Sequence, residues 1–544
     1  MVLNVGPVTR PIGGRSALVL EQAAAALRAG ATADAERTLR AHLLGSPFDT
    51  EALAKLAEIV LYQGRAREAV LLLRQVVTAA PEHHDARLRL ARLLYEQGEP
   101  HQAHDQLVLL PQDLRSTFDV QTFEALLLGI LGRHQPEIAI YEKLVAKHRD
   151  HPPLWTSFGN ALKYAGRSAE AVRALRKAVK LRPSFGEGWW SLANLKTVQF
   201  DARDIAAMRR ALSDELTHED ALHLHFALGK ALEDCKLYRD SFAHYQAGNR
   251  IRAGVLHPGQ MYATAFVDEA IATFDPELMA RAGSVGDPAT DPIFIVGLQR
   301  SGSTLVEQIL ASHPLIEGTS ELLLMQRLWL ETLSAAQSAG RSMRDHLHGL
   351  SAAALADLGA DYLERARPFR QTDKPRFVDK LPANWMHIGF IRLVLPNAKI
   401  VDARRHPMAC GFSNFKQHYA TGVAFAYSQD SIGRFYGDYL RLMRHFDAVQ
   451  RDAIHLVINE RLIQDVEGEV RQLLDFVGVP FDEACIAFHR NARSVNTPSA
   501  EQVRRPINSD GVDYWRHYEP WLGPLKQALG TAFDDWDQRA LPAA

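Results

Sequence analysis

Cysteine is scarce in this chain: Cys235, Cys410 and Cys485 are the only three in 544 residues. They lie too far apart for a metal-ligand motif, so no metal is expected, and they are too few for a disulfide framework. As buried free thiols they suit a reducing cytoplasm, which is the localisation expected. Long apolar runs are also missing. None approaches the roughly eighteen residues of a membrane span, and the run after Ser16 already ends at Glu21, short of a signal-peptide core. Excess charge is absent as well. Sixty-two Lys and Arg against 64 Asp and Glu leave a net charge of −2, which excludes a global basic field for nucleic acid or an anionic membrane. What remains is a soluble chain of ordinary composition, 47% hydrophobic and 23% charged, too long to grow around one core.

The first positive feature is a period. Gly30, Gly64, Gly98, Gly132 and Gly166 stand 34 residues apart, and alanine follows five residues later at Ala69, Ala103 and Ala171. The glycine turns the chain between two short amphipathic helices, and the small alanine lets those helices approach closely. One such pair cannot bury its apolar face alone, so successive pairs must stack. The pattern resembles the tetratricopeptide repeat. The best copy is Pro152–Phe185, with Trp155, Gly159, Ala171, Ala178 and Pro183 at that family's signature places. After it the lattice decays: Phe200 stands where the next glycine belongs, and Lys236, two residues late, is the equivalent one step further. The expected helical domain covers residues 16–255. Such arrays bind peptides or partner subunits in a groove; Trp155, Trp189 and Trp190 are candidate contacts there, although repeat-phase tryptophans are usually core. Exposed repeat ends also suit pairing into a homodimer.

Residues 256–290 carry the proline and polar clusters of a helical or linker connector. From about residue 291 to 544 the pattern changes to short apolar strands alternating with helical stretches, which predicts a parallel sheet covered by helices on both faces. Strands are expected at Ile293–Val296, Phe377–Asp379, Lys399–Ala403 and His455–Asn459. Helices are expected at Ser303–Ala311, Glu321–Leu333, Ala352–Arg365, Trp385–Val394, Met408–His418, Ile432–Val449 and Gln464–Val477. In such folds ligands bind at the carboxyl ends of the strands.

The polar punctuation falls at those ends. GLQRSGST, Gly297–Thr304, fits a phosphate loop except that Ser303 replaces the lysine that serves the outer phosphates of a nucleoside triphosphate. Taken alone, that reads rather as a plain strand–turn–helix. Arg300, Lys380 in VDKLP, and Arg405 place cations after three successive strands. Ser413 lies eight residues past Arg405, about two helical turns on, where hydroxyl and guanidinium can share a phosphate. Arg505, in QVRRPIN, adds a further basic residue. A nucleotide with separated phosphates suits two such anion sites.

These stretches, in this order, resemble a sulfotransferase that uses 3′-phosphoadenosine 5′-phosphosulfate. With the repeats, the chain resembles bacterial repeat-fused sulfotransferases, whose catalytic half is similar to tyrosylprotein sulfotransferases. The fold implied is a tetratricopeptide-repeat solenoid followed by an α/β sulfotransferase domain. By this resemblance Arg300, Ser301, Gly302, Ser303 and Thr304 surround the 5′-phosphosulfate, and Arg405 and Ser413 hold the 3′-phosphate. Arg505 adds to nucleotide binding, Lys380 neutralises charge on the leaving phosphate or the moving sulfuryl group, and Glu321 is the catalytic base. Glu317 is a weaker candidate for the base, and Arg404 a neighbour of the site. Glu321 also falls at an expected helix start, where capping alone would favour a carboxylate.

The chain departs from that family at Gln299, Ser303, Asp513-Tyr514 and Leu322-Leu323. The last pair replaces the residues that contact peptide in tyrosylprotein sulfotransferases. The acceptor implied is peptidyl tyrosine, with a glycan, a lipid or a small phenol as alternatives. A peptide-binding scaffold with a vestigial catalytic half and a triphosphate-dependent kinase are the competing classes. Ser303 and the lack of a magnesium-binding carboxylate motif speak against the kinase.

Overall fold

The computed structural model describes residues 14–319, 321–420, 422–491, 493 and 502–536; the last part of the expected catalytic segment, 537–544, lies outside the described residues. Contacts divide the chain into two compact units, Met1–Leu144 and Val145–Ala544. The division falls inside the repeat array, so the later repeats belong to one unit with the sheet.

In the first unit, helices such as Thr50–Tyr62 and Ala66–Ala79 pair across glycine turns. All five lattice glycines, Gly166 of the second unit included, take the left-handed backbone, with φ between 69° and 80°. That conformation is open to glycine and costly for other residues. Ala69 and Ala103 are completely buried, as close helix approach demands. The fourth repeat has Glu137 at this place. It is buried 2.8 Å from His134 Nδ1, and a side chain at Gly129 would meet its carboxylate at 2.7 Å, so that glycine makes room for it.

The second unit opens with Pro152–Tyr164 and Ser168–Leu181. Gly159 lies against Leu175, where a Cβ would stand 2.6 Å from Cγ. Beyond this pair the left-handed position passes to lysine, at Lys196 (φ 60°) and, as the lattice suggests, at Lys236 (φ 59°). Phe200 is buried core and makes no turn. Trp189 and Trp190 are buried, whereas Trp155 is half-buried and donates its indole N–H to the Arg149 carbonyl at 2.8 Å. Two of the cysteines are buried, but Cys235 is exposed, contrary to expectation, because it caps the C-terminus of His218–Asp234 just where the chain turns at Lys236.

The sheet has five parallel strands in the order β2-β3-β1-β4-β5: β1 Pro292–Gly297, β2 Ile316–Gly318, β3 Arg376–Lys380, β4 Lys399–Arg404 and β5 Ile454–Ile458. Ile293, Phe294, Ile295 and Val296 are wholly buried, each worth about 1.5–3 kcal/mol of apolar burial. β1 is central. The chain leaves it toward β3 on one side and returns to β4 on the other, which opens a crevice at the strands' carboxyl ends.

Residues 385–387, expected within one helix to Val394, lie in a 3-10 turn ahead of the Ile388–Val394 helix, and β2 and Glu321 also depart from expectation. The three-residue edge strand β2 carries too little apolar pattern to be read from sequence. The helix expected from Glu321 begins at Leu324, with Leu323 as its N-cap, so Glu321 precedes the helix and does not cap it.

Candidate functional site

The loop after β1 is shaped by its glycines. Gly297 has φ 138°, and a Cβ there would stand 2.4 Å from the Ala403 carbonyl of neighbouring β4. Gly302 has φ 100° and faces Asn459, whose Oδ1 would lie 2.8 Å from an added Cβ. Between them Arg300 takes φ 69°, a backbone that non-glycine residues hold mainly where surrounding structure imposes it. Ser303–Ala311 then runs as a helix whose first-turn N–H groups and dipole favour an anion.

A cavity of 570 Å³ opens at this end of the sheet, within the usual size range of small-ligand sites. Of the residues expected from sequence, Arg300, Gly302, Ser303, Thr304, Arg405, Ser413 and Arg505 all line it. Arg300 Nε donates to Ser413 Oγ at 3.0 Å, tying the loop to the Pro407–Phe415 helix. Gln299 fastens the same joint, its carbonyl accepting from Asn414 Nδ2 at 2.8 Å. Arg405 donates to the Gly511 carbonyl, and burial pulls its guanidinium below the ordinary arginine value. Two buried polar atoms here, Ser301 Oγ and Arg405 Nε, have no hydrogen-bond partner among the described residues. Arg405 Nε, on the cavity wall, suits an anion as its missing acceptor.

Ser301, Lys380 and Glu321 do not line that cavity. Lys380 ends β3 on the other side of β1, in register with Ile295, and is 1% exposed. Its Nζ is 2.5 Å from Glu321 Oε1 and 4.0 Å from Glu307 Oε2. Glu307 is held in turn by Arg493 at 2.7 Å. Glu321 keeps 44% of its side chain exposed, so it joins a buried lysine to solvent. The segment bearing it is anchored by Asp379, whose Oδ1 accepts from Leu322 N at 3.4 Å and whose Oδ2 accepts from the Tyr362 hydroxyl at 2.8 Å. Burial pushes the Asp379 carboxyl up to about 7, against the lowering effect of Tyr362, Leu322 and Lys380. Glu317, the weaker candidate, is spent elsewhere: it accepts from Gln371 N at 2.6 Å. Arg404 is turned back onto Asp402, at 2.7 Å, and Tyr439.

Sequence reasoning missed several residues that the fold brings to the cavity. From the repeat region come Asn194, Lys196, Lys230, Glu233 and Asp234, beside Trp190, which the sequence reading named only as a candidate groove contact. Lys416 pairs with Glu233 at 2.9 Å and lies 4.5 Å from the centre of the Tyr514 ring, which also lines the cavity. Glu233 and Lys416 are 183 residues apart, so no local pattern announces the pair. Away from the cavity, Glu219, His223 and His418 each place one donor atom within 4.8 Å of the others, a spacing compatible with a metal ion, but Glu219 already faces Arg252 at 3.5 Å.

Residues 292–483 match the sulfotransferase family, and residues 60–127 and 152–185 match the tetratricopeptide repeat. A protein of Aquifex aeolicus (strain VF5), described as uncharacterized, is 30% identical over 314 residues, 57% of this chain and 41% of its own length. A protein-tyrosine sulfotransferase of Drosophila melanogaster is 22% identical over 41% of this chain and 46% of its own length. This chain therefore spans less than half the length of either relative. Among solved structures, the sulfotransferase domain of the Synechococcus PCC 7002 olefin synthase is 22% identical over 42% of this chain and 88% of its own, with a TM-score of 0.31. MamA is 23% identical over 29% of this chain and 93% of its own, with a TM-score of 0.27. The chain carries a sulfotransferase-family domain joined to tetratricopeptide repeats.

Proposed function

We propose that the cavity binds 3′-phosphoadenosine 5′-phosphosulfate and that the domain transfers its sulfuryl group to an acceptor hydroxyl. The observation that carries this reading is the convergence of the lysine-less phosphate loop with Arg405, Ser413 and Arg505 on one cavity at the carboxyl ends of the strands. Arg300, Ser301, Gly302, Ser303 and Thr304 surround the 5′-phosphosulfate; Arg405 and Ser413, with Arg505, hold the 3′-phosphate.

In the reaction the acceptor oxygen forms a bond to sulfur while the bond from sulfur to the bridging phosphate oxygen breaks. Adenosine 3′,5′-bisphosphate leaves with that bond's electron pair. The acceptor proton passes to Glu321, whose exposure gives it access to a substrate hydroxyl, and Lys380 meets the negative charge gathering on the bridging oxygen. The ion pair of Lys380 with Glu321 fixes the two groups relative to each other before substrate arrives. Arg300 and the loop amides stabilise the moving group without reorganising. No step needs a metal.

The acceptor is proposed to be a tyrosine hydroxyl on a polypeptide. Two things support this: the name of the Drosophila melanogaster relative, and a repeat region of a kind that holds peptides. Mass spectrometry of tyrosine peptides, glycans and small phenols incubated with enzyme and donor tests it. A mass gain confined to peptides supports the proposal, and one confined to another class overturns it.

A further inference from the structure

The later repeat turns are built differently from the earlier ones. Gly166, Lys196 and Lys236 all close their helices in the same way, donating the backbone N–H to the carbonyl three residues back at 3.0, 3.1 and 2.9 Å. All three take the left-handed backbone, but only the first is glycine. Lysine gains nothing from that conformation, and residues held in it gather at functional sites. The two lysines differ in what their side chains meet. Lys236 is exposed and lies outside the cavity, whereas Lys196 lines it.

The position of Lys196 departs from the period. A 34-residue step from Gly166 leads to Phe200, yet the turn comes four residues earlier, after a helix of nine residues, Gly186–Asn194, where the preceding repeat has thirteen. That shortening by about one turn sets Lys196 at the cavity wall beside Trp190 and Asn194. Burial first, then Arg300, Lys416, Lys163 and Lys230, push its amine well below the ordinary lysine value. Lys416 and Lys230 are balanced by Glu233 and Asp234. Arg300 is bonded to Ser413, three residues before Lys416. Lys196, Ser413 and Arg405 line the same cavity, so an anion seated there can draw on all three.

We propose that Lys196 is a phosphate ligand supplied by the repeat region, its ammonium meeting the 3′-phosphate of the bound nucleotide beside Ser413 and Arg405. The proposal rests on the nucleotide reading above and extends the donor site to a residue outside the sulfotransferase match. The repeat region thereby becomes part of the enzyme's binding machinery, and its lost register at this turn is what places the cation.

Lys196→Gly tests this cleanly, because glycine is the residue that this backbone favours, so the variant folds with an unchanged or higher Tm. Calorimetry with adenosine 3′,5′-bisphosphate should show affinity falling roughly ten- to a hundredfold. Affinity for adenosine 5′-monophosphate, which lacks the 3′-phosphate, should not change. Lys196→Arg should retain bisphosphate affinity, and Lys236→Gly should raise Tm and leave affinity unaltered. If the wild type binds the bisphosphate and Lys196→Gly binds it equally well, the lysine is only a turn residue and the proposal falls while the nucleotide reading stands. Equal losses for both nucleotides overturn the 3′-phosphate assignment. A wild type that binds neither nucleotide overturns reading and proposal together.

Discussion

Lys380 Nζ stands 2.5 Å from Glu321 Oε1, joining the end of β3 to the segment ahead of the Leu324–Ser338 helix. The lysine is buried and the carboxylate half open, so the pair points its acidic member toward solvent and keeps its basic member beside the phosphate-loop helix. Glu321→Gln preserves shape and removes the proton acceptor. Turnover should fall about a hundred- to ten-thousandfold while affinity for adenosine 3′,5′-bisphosphate stays within twofold, taking roughly twofold as the span of a negligible energy change. Single-turnover transfer from labelled donor, read beside calorimetry, checks both halves. Undiminished transfer would remove Glu321 from the chemistry.

Asp379 should leave a mark on stability against pH. Its carboxyl is raised in the folded chain to about 7 by burial, above its unfolded value. The group therefore favours folding most fully below the unfolded value, and that contribution is lost as pH rises through about 7. The slope it adds approaches about 1.4 kcal/mol per pH unit at most. Denaturant unfolding of Asp379→Asn between pH 4 and 8 should show a flatter profile than wild type across this window. Superimposable slopes would show that the carboxyl titrates normally.

The opposite sign holds for two buried imidazoles. His418 is lowered to about 3 by burial and then by His223 and Arg252, and His387 to about 4 by burial. Both are neutral in the fold, so their contribution is present above the ordinary histidine value and is lost as pH falls toward 4 and 3. Unfolding in acid should take up protons, and His387→Gln should reduce that uptake between pH 6 and 4, as read by the pH dependence of the denaturation midpoint.

Gly64 has φ 80° and open space where a Cβ would stand. Gly64→Ala therefore costs only its backbone conformation, about 1–2 kcal/mol, without a packing penalty. Thermal unfolding should show a lower Tm with no change in nucleotide affinity. An unchanged Tm would mean that the repeat turn has another low-energy conformation.

The legible parts of this chain were those written locally. A glycine every 34 residues predicts the repeat turns, because each turn requires a left-handed backbone whatever surrounds it. The apolar run ending at Gly297 and resuming at Ser303 predicts strand, loop and helix for the same local reason. β2 was not legible, since three residues at a sheet edge carry no period. The leucines after Glu321 suggest a helix start there, yet tertiary partners decide otherwise: Asp379 takes Leu322 N, and Lys380 takes the carboxylate. Lys196 was invisible for a related reason. A lysine in a decaying repeat reads as surface, and only the fold reveals that its turn faces the phosphate loop's cavity.

The central claim is that the cavity is built for a nucleotide bearing separate 3′ and 5′ phosphate groups. Titration calorimetry of adenosine 3′,5′-bisphosphate into wild type and Arg405→Ala tests it most directly. The account predicts saturable binding to the wild type and a loss of roughly ten- to a hundredfold or more in the variant. Absence of binding to a folded wild type, or equal affinity in the two proteins, would contradict it.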